Sequence, residues 1–144
     1  MIKNINPQQA NEMLQREPGA VYIDVRTEYE FEGGHIPGAV NIPVATPDPA
    51  TRKMVPNPDF LSVVEKNFNK NKKLIVGCQA GGRSRFAGEM MDQAGFTDIS
   101  NMEGGFGGAR DPMGRLVTPG WTQANLPIET EVVYERSYAG MKKT

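Results

Sequence analysis

Short apolar runs alternate with amphipathic stretches along the chain, and each change of period marks an element. Val21-Tyr22-Ile23-Asp24-Val25 and Leu74-Ile75-Val76 are nearly continuous in apolar character, as strands covered on both faces are. Another short strand is predicted around Val40 to Ile42, ended by Pro43. Asn6-Pro7 reads as a cap and first-turn pair, Ala10, Met13 and Leu14 share a helical face, and Pro18-Gly19 stops that helix. Asn57-Pro58 repeats the signal ahead of an apolar stripe of Phe60, Leu61, Val64 and Phe68, which ends in Lys70, Lys72 and Lys73. Ser84 to Ala94 is predicted as a third helix closed by Gly95, with Phe86, Ala87, Met90, Met91 and Ala94 facing the core. Strands alternating with helices predict an α/β layer structure.

The connections carry their own signals. Gly33 to Ala39 is turn-rich, and prolines at 47, 49, 56 and 58 crowd a stretch around 45–57 that has no hydrophobic period. That stretch reads as a surface loop, a plain connector from strand to helix in preference to one whose Arg52, Lys53 and Met54 overhang the later glycine-rich loop. The glycine-rich run from Gly107 to Gly120 reads as a surface hairpin, and the tail 131–144 suits a strand, a packed segment or a mobile one equally. With 144 residues and no internal repeat, one domain is expected, its core at about 2–130.

Composition narrows the function. The formal charge of -1 gives no pull toward nucleic acid or anionic lipid. No apolar run approaches the roughly 18 residues that span a bilayer, and the first residues lack the apolar centre of a signal peptide, so the expected location is cytoplasmic. One cysteine cannot close an internal disulfide, and one cysteine with one histidine cannot assemble a zinc site; no metal or other cofactor is implied. The eight methionines fall largely on helical stripes and read as core filling.

The chemistry is concentrated in Gly77-Cys78-Gln79-Ala80-Gly81-Gly82-Arg83-Ser84, a glycine-rich loop between the end of a strand and the start of a helix. A lone cysteine is ordinarily a small buried hydrophobe. Here, however, Gly81 and Gly82 permit φ > 0, so successive N–H groups can line a concave anion site, and the helix N-terminus adds about half a positive charge. Such a place favours a thiolate, with Arg83 as a nearby cation, and turns an inert thiol into a nucleophile. Arg83 fits two roles equally, orienting an anionic donor or pairing with an acid to fix the loop.

Three segments together resemble the rhodanese family of sulfurtransferases. Tyr22-Ile23-Asp24-Val25-Arg26 followed by Gly34-His35-Ile36-Pro37-Gly38-Ala39-Val40-Asn41-Ile42-Pro43 is similar to its first signature. Cys78 to Ser84 resembles its active-site loop, and Gly104-Gly105-Phe106 with Trp121 and Asn125 to Glu129 its C-terminal element. The resemblance covers most of residues 2–130. It implies a rhodanese-like α/β fold, a central parallel β-sheet flanked by helices on both faces. It also implies a thiosulfate sulfurtransferase in which Cys78 cycles between thiol and persulfide. Gln79, Ala80, Gly81, Gly82, Arg83 and Ser84 would hold substrate and persulfide, while Asp24 and Arg26 support the loop. The partners implied are a small anionic sulfur donor and a thiol or cyanide acceptor, with a protein sulfur acceptor as a further possibility. His35 is assigned a structural place, since a thiolate needs no general base.

Rival readings of the loop are weaker. Gly77 to Ser84 nearly fits a nucleotide-binding P-loop, but arginine occupies the lysine slot and no magnesium-binding acidic strand follows. Gly105-Phe106-Gly107-Gly108-Ala109-Arg110 lacks the third glycine of a dinucleotide fingerprint. Cysteine phosphatases and arsenate reductases also seat a thiolate at a helix start, and phosphatases space it Cys-x5-Arg; Cys78 to Arg83 is Cys-x4-Arg, a smaller ring suited to one sulfur atom. The remaining alternative is a sulfur carrier or docking module serving a protein partner.

Overall fold

A computed structural model describes residues 2–143. The elements run β1 (Lys3–Ile5), α1 (Pro7–Arg16), β2 (Val21–Asp24), α2 (Glu28–Glu32), β3 (Val40–Asn41), β4 (Ala45–Pro47), β5 (Met54–Pro56), α3 (Phe60–Asn67), β6 (Leu74–Gly77), α4 (Gly82–Gln93), β7 (Ile99–Met102), β8 (Ala109–Arg110), β9 (Leu116–Thr118) and α5 (Tyr138–Lys143). Five strands form one sheet in the order β1-β7-β6-β2-β3, and every neighbouring pair is parallel. The central strand β6 is buried over all four residues, which is why Leu74-Ile75-Val76 has no polar face.

Because side chains alternate across a strand, the sheet supports two cores. On one face Ile23, Val25, Leu74, Val76 and Ile99 pack with Phe60, Val63 and Val64 of α3, Ala87 and Met91 of α4, and Tyr138 and Met141 of α5. On the other, Tyr22, Ile75 and Met102 pack with Ala10 of α1, Phe31 of α2 and Trp121. Helices therefore cover both faces of a parallel sheet, as expected. The Asn6 cap is a capping box: its Oδ1 accepts the Gln9 amide and the Gln9 side chain accepts the Asn6 amide, both at 2.8 Å.

Five expectations are revised, resolved or met. The stretch 45–57 is a hairpin in which β4 and β5 pair antiparallel, not a plain connector; its prolines sit on a two-stranded ribbon with free edges, where a missing donor is tolerated. Asn57 does not cap α3. It is buried, donates from Nδ2 to the Pro43 carbonyl at 2.8 Å and to Tyr138 Oη at 2.9 Å, and accepts the Asp59 amide on Oδ1 at 3.1 Å, which closes a turn ahead of the helix, so α3 starts at Phe60. Phe86 is 52% exposed rather than core-facing, because the inward stripe of α4 is Ser84, Ala87, Gly88 and Met91. Within the tail, α5 packs with Tyr138 and Met141 buried; Met1 and Thr144 lie outside the described residues. The run 107–120 does form a hairpin, β8 against β9.

Candidate active site

Cys78 follows directly on β6, and Gly81 stands as the N-cap of α4 at φ +119°, a conformation that glycine adopts without a Cβ penalty. This bend brings the Gly81 amide to 3.1 Å from Cys78 Sγ. The thiol is 2% exposed and its inner side packs on the apolar core that includes Val25, Val44 and Ala87. Ser84 lies under the loop, its Oγ 2.6 Å from Asn101 Oδ1 and 3.1 Å from the Gly81 carbonyl.

The rest of the loop is oriented from outside. The Phe106 amide donates to the Cys78 carbonyl at 2.7 Å and the Gly107 amide to the Gln79 carbonyl at 3.0 Å. In a trans peptide the carbonyl and the next N–H point in opposite directions, so this clasp turns the Gln79 and Ala80 amides toward the loop interior. Neither amide makes a hydrogen bond among the described residues. With the Gly81 amide and the unpaired N–H groups of the first turn of α4, they form a ring of donors. Gly105 makes the clasp possible: it sits at φ +62°, and a Cβ there would stand 2.5 Å from the Cys78 carbonyl oxygen.

Asp24 and Arg26 are both buried and form a closed pair. Arg26 donates to Asp24 from its backbone amide, from Nε and from Nη2, the last at 2.8 Å, and donates from Nη2 to the Gly34 carbonyl at 2.7 Å. Its Nη1 reaches Gln79 Oε1 at 3.3 Å, and its guanidinium lies 4.5 Å from the centre of the Phe106 ring. The Asn41 side chain donates to the carbonyls of Asp24 and Arg26, both at 3.0 Å. Thus the acid inside an apolar strand has the charged partner that burial demands, and that partner touches both the loop and its clasp.

Arg83 is a tether. Its two terminal nitrogens meet the two oxygens of Glu30 at 2.7 and 3.0 Å. Burial opposes ionisation of Glu30, but the hydrogen bonds from Arg83 and Thr27 outweigh it and hold the carboxyl at about 2, below its ordinary 4.5. Glu30 lines a cavity of about 490 Å³ with Arg26, Gln79 and Phe106, whereas Arg83 lines one of about 340 Å³ on the hairpin side, so the ion pair stands between the two. A group whose folded value is depressed stabilises the fold above the unfolded value and loses that contribution as pH falls. Glu30→Gln is therefore expected to cost about 1–2 kcal/mol near neutral pH, after allowance for solvent screening of the partly exposed pair. The gap to the parent chain should shrink below about pH 4.5 and vanish near pH 2, as urea titrations of both chains at stepped pH would register.

His35 lies away from the loop. It is buried and stacks on Phe31 at 3.8 Å; Nδ1 is 2.8 Å from the Phe31 carbonyl and Nε2 is 3.1 Å from Glu129 Oε1. Tyr22 is a contact the sequence did not announce. Its hydroxyl fills the place where a Cβ on Gly77 would stand, 1.7 Å away, so the residue before Cys78 has room only for hydrogen. Burial, then the charges of Asp24 and Cys78, push the Tyr22 hydroxyl well above its ordinary value and keep it neutral. Glu30 and the Gly105 to Gly107 clasp also went unassigned. The available signals were the Thr27-x-x-Glu30 capping box and the unexplained Gly-Gly-Phe run.

The Rhodanese-like domain family model matches residues 6–110. The chain belongs to the rhodanese-like domain family. Two of its relatives come from Arabidopsis thaliana. "Thiosulfate sulfurtransferase 16, chloroplastic" is 43% identical over 88 residues, 61% of this chain and 72% of that protein. "Thiosulfate sulfurtransferase 18" is 34% identical over 132 residues, 90% of this chain and 85% of that protein. A crystal structure of Rv0390 from M. tuberculosis superposes with a TM-score of 0.74 at 31% identity, covering 90% of this chain and 98% of that one. Relatives of this rhodanese-like chain thus include proteins named as sulfurtransferases. Among the described residues, no helix is long and apolar enough to cross a membrane.

Proposed function

We propose that the chain is a thiosulfate sulfurtransferase that moves sulfane sulfur to a thiol or cyanide through a Cys78 persulfide. The observation that carries this reading is the Cys78 sulfur set against the Gly81 amide at 3.1 Å, at the mouth of a loop whose neighbouring amides are turned inward. The Cys78 thiolate attacks the outer sulfur of thiosulfate; the new S–S bond forms as the S–S bond of thiosulfate breaks, and sulfite leaves with the electron pair. The persulfide anion that remains carries one negative charge, which the loop amides and the start of α4 are placed to offset. An acceptor thiol then attacks the outer sulfur, and Cys78 leaves as thiolate. With no second cysteine in the chain, the acceptor is an outside nucleophile, and turnover is two-step and ping-pong.

In this reading Gln79, Ala80, Gly81, Gly82, Arg83 and Ser84 form the persulfide cradle, Arg83 acting through Glu30 rather than on the donor. Asp24 and Arg26 support the loop through Gln79 and Gly34. Incubating the protein with thiosulfate and weighing it intact tests the proposal. A gain of about 32 Da, one sulfur, that cyanide or a thiol removes is expected. No adduct with thiosulfate, mercaptopyruvate or a persulfide donor would refute it.

A further inference from the structure

The hairpin beside the loop carries side chains that the sulfur cycle does not use. Met54 and Val55 of β5 and Phe86 of α4 are 47, 39 and 52% exposed. Together with Val44, Pro56 and Arg83 they line the groove of about 340 Å³ on the hairpin side of the Arg83–Glu30 pair. The groove therefore starts within the first turn of α4, next to the loop that holds Cys78. Exposed cations stand at its hairpin end, Arg52 and Lys53, next in the chain to Met54 and neither with an acidic partner among the described residues. The nearby Asp48 is already engaged by the Ala50 amide and the Thr51 hydroxyl. Arg52 stands at φ +63°, the left-handed residue of a hairpin turn closed by the Arg52 amide on the Asp48 carbonyl at 2.7 Å and the Asp48 amide on the Lys53 carbonyl at 2.8 Å.

Cyanide or a small thiol needs neither an apolar groove nor free cations at the hairpin turn beside it. Their combination matches a surface segment of another protein, with an apolar side chain as anchor and acidic neighbours for Arg52 and Lys53. We propose that the groove between β5 and α4 docks a protein sulfur acceptor through such an acidic, apolar segment, which presents its own cysteine to the Cys78 persulfide. This rests on the sulfurtransferase reading. The transfer balances without a further reactant: the acceptor sulfur bonds to the outer sulfur, the bond from that sulfur to Cys78 breaks, and the electron pair stays on Cys78. The acceptor becomes the persulfide and keeps its proton on the terminal sulfur or releases it to water.

Three short synthetic peptides test the proposal: a cysteine beside leucine and several aspartates, the same peptide with lysines for aspartates, and the acidic peptide with serine for leucine. With thiosulfate as donor, the first should show a kcat/KM at least about 10-fold above either of the others at low salt, and its advantage over the lysine peptide should close as salt is added. Phe86→Ser, and separately Arg52→Glu with Lys53→Glu, should lower turnover of the first peptide about 10-fold while cyanide turnover stays within about 2-fold. A cysteine-free, fluorescein-labelled version of the acidic peptide, followed by anisotropy, should bind the parent chain and lose binding in the same variants. Equal use of the three peptides, no anisotropy change, or a parallel fall in cyanide turnover overturns the docking proposal. Absence of both the sulfur adduct and cyanide turnover in the parent chain overturns the sulfurtransferase reading instead, and the anisotropy arm still reports on the groove by itself.

Discussion

Cys78→Ser is expected to lower thiosulfate-to-cyanide turnover by at least about three orders of magnitude while leaving the fold in place. Serine is nearly the same size, so the 2% exposed site neither opens a cavity nor crowds Val25 and Val44, and its oxygen can still accept the Gly81 amide. What it cannot do is attack a sulfane sulfur and hold it, because a neutral hydroxyl is a poor nucleophile and the loop has no base beside it: His35 is occupied by Phe31 and Glu129. Thermal unfolding of the two chains should nearly coincide, and the 32 Da adduct should be confined to the parent. Turnover by the serine variant within about tenfold of the parent would mean that donor and acceptor react directly, without the covalent intermediate.

Gly105→Ala is expected to displace the Cys78 loop through its own backbone. Its Cβ would meet the Cys78 carbonyl oxygen at 2.5 Å and the Gln79 carbonyl carbon and oxygen at 2.6 Å. These are backbone atoms of the loop itself, so relief requires moving the loop rather than rotating a side chain. The left-handed backbone at φ +62° adds its own penalty. A stability loss of about 2–4 kcal/mol is expected in urea titrations, and about 100-fold in kcat/KM from displaced amides. Gly38→Ala separates the two causes. Gly38 also has positive φ, +82°, but open space where its Cβ would stand, so it should cost about 1 kcal/mol and leave turnover alone. If both variants lose activity alike, the clasp is not what holds the loop.

How far the sequence reached depended on whether a residue's role was local. The strands around Ile23 and Ile75 and the helix after Pro7 were legible, because period, caps and proline positions are local signals and the packing agreed with them. Cys78 was legible for the same reason: strand, glycines and helix start lie within one short segment. Asn57 misled because its Oδ1 closes a turn on the Asp59 amide just ahead of the helix, while its Nδ2 partners, Pro43 and Tyr138, are distant in sequence. Phe86 misled because its stripe contains more apolar residues than the core of α4 receives. The 45–57 hairpin was hidden by its prolines, which signal loops but are harmless on an unpaired edge. Glu30 and Gly105 act on the loop across 53 and 27 positions of sequence respectively, a separation that no local pattern encodes.

The two outer strands of the sheet have a consequence for how copies of this chain behave when concentrated. β1 has three residues, carries Lys3 and runs directly into Pro7; β3 has two residues and is followed by Pro43. Natural strands pair over about five or six residues, so neither margin offers a ladder long enough to template a strand from another molecule. The β4–β5 ribbon is blunted in the same way, since Pro47 and Pro56 contribute no donors. The fold thus keeps its exposed apolar groove beside strand edges too short and too marked by proline to recruit a strand from another copy.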